Sequence, residues 1–424
     1  MPDRPALQAG DGLPTHVHGA ADPRFACAVK TFATLFPGPR YGGGALSVYV
    51  DGEPVVDVWT GWSDREGRVP WSADTGAMVF SAGKGVASTV LHRLVDRGLL
   101  SYDDPIARYW PEFGANGKSA ITVREMMRHT TGLSRLGTIS TEQLLDHRYM
   151  EERLAAARVD RLAGRAAYHA FTFGWLASGL ARAITGKGMR ELFRAEVAQP
   201  LDIDGIHLGR PPADAPTKAA QTMFPQRFSG GPVLGRLVSL MASLPVPGPL
   251  GATYVPGITS LVQGDMGLLD SEIPAVNAVV TARGLAKMYA ALTNGGRIDG
   301  RRFLSEELVA SLTGTRSFRP DLNVFFPMSF HLGYHGSPVP GLLRGFGHAG
   351  LGGTIGWADP ITKSSFAFVH NRLLTPMVAD QLLFVPLLIP LQRAVTAAHS
   401  RGCVAVPRFG ARHSGEARSR VPGR

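Results

Sequence analysis

Two β-rich runs near the N-terminus, Ala45–Val50 and Glu53–Gly61, meet at Asp51-Gly52. This dipeptide takes the positive φ angles of a two-residue hairpin turn more readily than almost any other. An antiparallel pair is therefore expected there. The remaining β-like runs, Met328–Tyr334, Gly353–Ala358 and Phe366–Asn371, lie near the other end of the chain. Between them the apolar residues follow a helical period. Asp22–Phe36 reads as a first helix, stopped at Pro37-Gly38-Pro39. Over Ser81–Leu100 the residues Val86, Val90, Leu91, Leu94 and Val95 share one face, and Gly98 falls where a helix C-cap is expected. Thr122-Val123-Arg124-Glu125 is a capping box that opens a further helix towards His129-Thr130-Thr131-Gly132. Helical patterns continue at Gln143–Ala157, Gly174–Thr185, Met189–Ala198 and Thr281–Thr293.

Strands at both ends with helices between them specify an α/β plus α fold. One mainly antiparallel sheet, flanked by helices, is built from the two termini, and a helical lobe is inserted into it. Residues 1–75 with 276–400 are read as the sheet lobe, and 76–275 as the mainly helical lobe with a Pro/Gly-rich loop region at 208–275. Residues 401–424 are read as a basic, flexible tail. A chain of 424 residues with 44% hydrophobic and 18% charged residues has ample apolar surface for such a core and is not a disordered polymer.

The net charge of +10 does not make a nucleic-acid surface, because residues 401–424 hold six Arg and one Glu, half of the excess. The rest is scattered. Two cysteines, Cys27 and Cys403, carry no metal or redox spacing and fit a reducing compartment. Met1-Pro2-Asp3-Arg4-Pro5 lacks the basic-then-apolar order of a secretory signal, so the expected location is cytoplasmic. The greasy run Leu382–Leu391 is too short to span a bilayer and contains Pro386 and Pro390. It reads as a buried element, with peripheral lipid contact left open. No integral membrane segment is expected, and oligomeric state is left open.

Three familiar signatures do not survive inspection. Gly114-Ala115-Asn116-Gly117-Lys118-Ser119 imitates a phosphate loop but separates its glycines by two residues instead of four. His16-Val17-His18 has no further ligand cluster to complete a zinc site. No G-x-S-x-G is present, so the nucleophile elbow of an α/β-hydrolase is absent. No metal and no cofactor are expected.

What remains is Ser81-Ala82-Gly83-Lys84. On a helix a three-residue separation puts hydroxyl and amine on one face, close enough for direct proton transfer. At the first turn, free backbone N–H groups and the helix dipole favour developing negative charge beside Ser81. As a motif it is short, and a helix start with a solvated lysine fits it equally well. The surrounding residues discriminate. Met78 to Lys84, Leu99 to Ile106, Met127 to Leu133, Tyr168-His169-Ala170 before Phe173 to Leu176, Thr281 to Leu285 and His348-Ala349-Gly350 before Gly353 together resemble the serine β-lactamase and penicillin-binding-protein superfamily. Within it they are most similar to the class C β-lactamase-related esterases, the family VIII carboxylesterases.

The resemblance implies a β-lactamase-like fold and a serine hydrolase that cleaves short to medium acyl esters of small molecules. It makes Ser81 the acylated nucleophile, Lys84 its proton acceptor and Tyr168 a second acid/base group. The backbone N–H groups of Ser81 and Leu351, just past His348 and Gly350, would form an oxyanion hole. Without the resemblance, Tyr168 reads as a core tyrosine. His129, Asp103, Asp104 and Trp175 read as scaffold. Two departures from the family pattern shift the expected substrate. Ala170 stands where β-lactamases have the Asn of Tyr-x-Asn, and His348-Ala349-Gly350 where they have Lys-Thr-Gly. The first loses an amide and the second a permanent cation, both of which recognise anionic amide substrates. His348 is read either as a substrate contact or as a strand-end polar residue. The alternatives are a β-lactamase or D-amino-acid peptidase, an acyltransferase, or a catalytically silent binding protein of the same fold.

Overall fold

The computed structural model describes residues 6–8, 10–137, 139–224, 267–314, 320–324, 327–337, 339, 341–374 and 380–410. Most of the Pro/Gly-rich region and residues 411–424 therefore lie outside the described residues. The expected hairpin forms as strands Gly43–Val50 and Glu53–Gly61, with Asp51 at φ 50° and Gly52 at φ 81° in the turn. A bulge between Val48 and Tyr49 increases its twist.

The hairpin lies inside a nine-stranded antiparallel sheet. In spatial order the strands are Leu7–Gln8, Val17–Ala21, Glu53–Gly61, Gly43–Val50, Ser364–His370, Ile355–Asp359, Phe346–Ala349, Tyr334–His335 and Phe330–His331. The two ends of the chain meet where Gly43–Val50 pairs with Ser364–His370, Gly44 opposite His370 and Val50 opposite Ser364. Alternate residues face opposite sides. Leu46, Val48, Val50, Phe366 and Phe368 enter an outer cluster, while Ala45, Tyr49, Ala367 and Val369 enter the inner core. Both faces are covered, which is why Gly43–Val50 is buried along its whole length.

The outer layer consists of helices Ala26–Thr34 and Val385–Arg401. The second of these extends the greasy run well past Leu391 and tolerates Pro386 at its first turn, with Pro390 inside. By length and composition Asp380–Ser400 could cross a membrane, at a mean hydropathy of 1.4. Leu387, Leu388, Leu391, Ala394, Val395 and Ala398 are nevertheless buried against the sheet. On the inner side, helix Ala282–Thr293 begins at the Thr281 N-cap and lies across the sheet. Helix Gly83–Asp96 packs beyond it against helix Thr172–Thr185. The capping box at Thr122 is present, with Val123–Met127 following it. The run expected as one helix over Gln143–Ala157 is two, Thr141–Leu145 and His147–Ala156. Asp146 leaves helical geometry between them and caps the second through its side chain.

The C-terminal segment differs from expectation where it can be described. From residue 402 to 410 it is docked instead of free. The Val404 amide donates to Asp22 Oδ2 at 2.7 Å and the Val406 amide to the Pro54 carbonyl at 2.8 Å. Arg408 pairs with Asp299 at 2.6 Å, and Phe409 meets Trp59 edge-on. The Arg excess further on had masked these specific partners in the sequence.

Candidate active site

A second, four-stranded sheet delivers Ser81. Strand Thr75–Met78 pairs antiparallel with Ala278–Val280, Ala77 opposite Val280 and Met78 opposite Val279. The Val79 amide continues the ladder to the Ala278 carbonyl at 2.9 Å. The chain then turns sharply at Phe80, whose φ of +48° is an outlier for a bulky residue. A short 3-10 turn, Phe80–Ala82, leads into helix Gly83–Asp96. Ser81 thus sits one step before the α-helix. The three-residue spacing still works, and Lys84 Nζ lies 2.9 Å from Ser81 Oγ.

Lys84 is completely buried. It also donates to the Ala275 carbonyl at 3.1 Å, and among the described residues no carboxylate pairs with it to offset the cost of a buried ammonium. Burial alone holds the amine well below the ordinary lysine range. A neutral amine donates to Ala275 and keeps a lone pair for the Ser81 proton. Asn277 holds the Ala275 loop, donating to the Leu268 and Ser271 carbonyls and accepting from the Ile273 amide.

Tyr168 is brought to the same point. Lys84 Nζ stands 5.0 Å from its ring centroid, and its hydroxyl faces Ser81. Burial raises the phenol well above its ordinary value, with the Ser81 contact opposing and Asp321 assisting. At neutral pH it is a proton donor. Its ring stacks on Phe330 at 5.5 Å and an interplanar angle of 8°, and its carbonyl accepts from Asn323 Nδ2 at 3.0 Å. His129, at φ 58°, is buried beneath it, with Nδ1 accepting from the His169 amide at 3.1 Å. This fits the scaffold reading of His129. Phe330, Asn323 and Ala275 are far from the motifs in sequence and were not found by inspection. No local pattern marks them.

His348, Gly350 and Leu351 close the other side. Gly350 is obligatory: a Cβ there would stand 2.1 Å from the Val79 carbonyl oxygen and 2.5 Å from Thr354 Oγ1. The strand end is thereby pressed against the turn that carries Ser81. Thr354 Oγ1 donates to the same Val79 carbonyl at 3.0 Å. Ser81 and Leu351 both lie in the opening turns of 3-10 segments, Phe80–Ala82 and Leu351–Gly353, whose first amides have no intrahelical acceptor. These two N–H groups are able to receive an oxyanion. His348 is buried, with its ring 6.3 Å from that of Tyr168. Its Nδ1 donates to the Ala349 carbonyl at 2.9 Å, which leaves Nε2 as a buried acceptor with no partner among the described residues. Burial, then His335 and Lys84, hold it well below the ordinary histidine range. It is therefore neutral at neutral pH.

A serine hydroxyl, an uncharged amine in contact with it and a protonated phenol are the groups that acyl transfer through a serine ester uses. Set in this sheet-and-helix framework they define the class of active-site serine hydrolases. The chain belongs to the Beta-lactamase family, whose model matches residues 30–385. Among its relatives is the Esterase/beta-lactamase LipL of Mycobacterium tuberculosis, 56% identical over 416 residues and covering 97% of both chains. Among solved structures, a family VIII carboxylesterase is 30% identical with a TM-score of 0.74, over 91% of this chain and 99% of that one. A penicillin-binding protein homologue from Caulobacter crescentus is 28% identical with a TM-score of 0.75, over 90% of this chain and all of the other. The β-lactamase-like fold and the family expected from the sequence are both found.

Proposed function

We propose that the protein is a carboxylesterase that cleaves short to medium acyl esters of small molecules through an acyl-Ser81 intermediate. The observation that carries this reading is the 2.9 Å contact between Ser81 Oγ and a fully buried Lys84 amine. The names of the 56% identical esterase/β-lactamase and of the family VIII carboxylesterase structure support it.

Lys84 Nζ takes the Ser81 proton as Oγ attacks the ester carbonyl carbon. The carbonyl oxygen becomes an oxyanion held by the Ser81 and Leu351 amides. As the tetrahedral species collapses, the carbon–oxygen bond to the alcohol breaks. The Tyr168 phenol gives its proton to the departing oxygen and regains one from the Lys84 ammonium. Water then attacks the acyl-enzyme, giving its proton back through the same pair, and Ser81 leaves with a proton as the acid is released. His348 sharpens the substrate class: a neutral acceptor in place of a lysine repels a carboxylate lone pair and offers it no charge. Uncharged esters are preferred over β-lactams or peptides with a free carboxylate.

The test is a p-nitrophenyl ester series run beside nitrocefin. The wild-type protein is expected to turn over acetate to octanoate esters far faster than nitrocefin. Ser81→Ala, with unchanged circular dichroism, loses at least about 10⁴-fold in kcat/KM. A Ser81→Ala protein with wild-type esterase activity would remove the assignment, and nitrocefin as the better substrate would make the β-lactamase reading the right one.

A further inference from the structure

Leu351 bears a backbone amide of the candidate oxyanion site, yet its side chain is 41% exposed. It is not alone. Gln381 ties the turn that carries it to the start of the C-terminal helix: Gln381 Oε1 accepts from the Gly352 amide at 3.2 Å and Nε2 donates to the Gly350 carbonyl at 3.1 Å. Next to Gln381, Leu382 is 54% exposed, and Ile389, in the helix that follows, is 57% exposed. Gln392 Nε2 donates to the Leu342 carbonyl at 2.8 Å, and the Leu342 amide donates to the carbonyl of Val339, itself 46% exposed. Four of the seven large apolar side chains exposed among the described residues therefore lie on one connected rim. The rim begins at the active site.

The charges around this rim are predominantly positive, two exposed Arg against one partly exposed Asp. Arg344 and Arg393 are exposed beside it. Asp380 is buried and paired with Arg372 at 3.0 Å. Asp359 packs beside Gly345, next to Arg344, with its carboxylate turned to the Ile361 amide at 3.0 Å. An apolar ridge with an Arg border, set on a helix whose opposite face is buried, has the make-up of an interfacial membrane anchor. A protein seated on this rim would cover the approach to Ser81, whereas an acyl-chain layer covers the rim with material of the kind the site consumes.

We infer that the rim formed by Val339, Leu351, Leu382 and Ile389 docks on anionic lipid surfaces and presents the active site to them. The choice of lipid as occupant rests in part on the proposed ester chemistry, so docking is tested separately, on a protein that cannot turn over. Full-length Ser81→Ala is mixed with sedimentable vesicles of phosphatidylcholine alone or with 30% phosphatidylglycerol. Expected is sedimentation with the anionic vesicles, weakened about fivefold by Arg393→Glu and at least tenfold by Ile389→Asp, and reduced in 0.5 M salt. In the otherwise wild-type enzyme, Ile389→Asp keeps its kcat/KM on soluble p-nitrophenyl butyrate and its melting temperature. Failure to sediment with either vesicle overturns the proposal, as does sedimentation indifferent to Ile389→Asp. So does a concentration-dependent dimer, seen by light scattering, that Ile389→Asp abolishes, because it would seat a second copy on the rim instead.

Discussion

On the outer side of the sheet, Leu46, Val48, Val50, Phe366 and Phe368 are sealed by the apolar faces of two helices. On the inner side, Lys84, Tyr168, His129, His169 and His348 are buried just as deeply. The same loss of water has opposite consequences in the two places. Outside, each buried square ångström of hydrocarbon adds stability. Inside, burial penalises the charged form of each group and so delivers a neutral amine, neutral imidazoles and a protonated phenol at neutral pH. One layer keeps the protein folded, and the other is a standing cost to folding from which reactivity derives.

Single substitutions can break that contrast in either direction. Lys84→Met removes a group that the unfolded chain protonates and the folded chain does not. Ester hydrolysis is expected to fall about 10³-fold while unfolding free energy rises by about 1–3 kcal/mol, measured by kcat/KM and urea denaturation on the same sample. A variant that loses both activity and stability would place Lys84 among the structural residues. Phe368→Ala should do the reverse. It opens a cavity in the outer layer and lowers stability by about 3–5 kcal/mol, with kcat/KM within about threefold of wild type at 20 °C.

Acid tests the buried histidines in the same way. Burial depresses His169 and His370 to about 4 and His92 to about 3. As pH falls below the ordinary value near 6.5, the unfolded chain takes up protons that the folded one refuses. Stability present at neutral pH is thus lost between about 6.5 and 4, by up to about 1.4 kcal/mol per pH unit for each histidine. Urea midpoints at pH 7, 5.5 and 4.5 should fall in that order. A flat profile would show these rings to be solvated.

How much of this was legible in the sequence follows the same division. The hairpin was readable because Asp51-Gly52 acts locally, and the Thr122 helix start because its capping box spans four residues. Ser81 and Lys84 meet as the Ser-x-x-Lys spacing suggested, whereas Tyr168 and His348 stood out only through the family resemblance. Their surroundings were not legible. The Ala275 carbonyl that accepts from Lys84 is main chain, and any residue type could supply it. Phe330 reaches Tyr168 from the edge strand of the sheet, through a pairing that local patterns cannot specify. Phe80 gives no warning of its positive φ, since the surrounding ladder and helix impose it against the residue's own preference. The break at Asp146 was lost because an Asp inside a helical period looks like a solvated face until its cap is seen.

The central pairing of the sheet has a consequence for biosynthesis. Gly43 and Asn371, joined through the Gly43 amide and Asn371 Oδ1, are separated by 328 positions. The first hairpin therefore leaves the ribosome with one edge lacking its neighbour and must wait for almost the entire polypeptide to be translated. Until then its valines and unpaired amides are open to other nascent chains. Recovery of soluble material should accordingly depend more on holdase chaperones and slow, cool expression than on the final melting temperature.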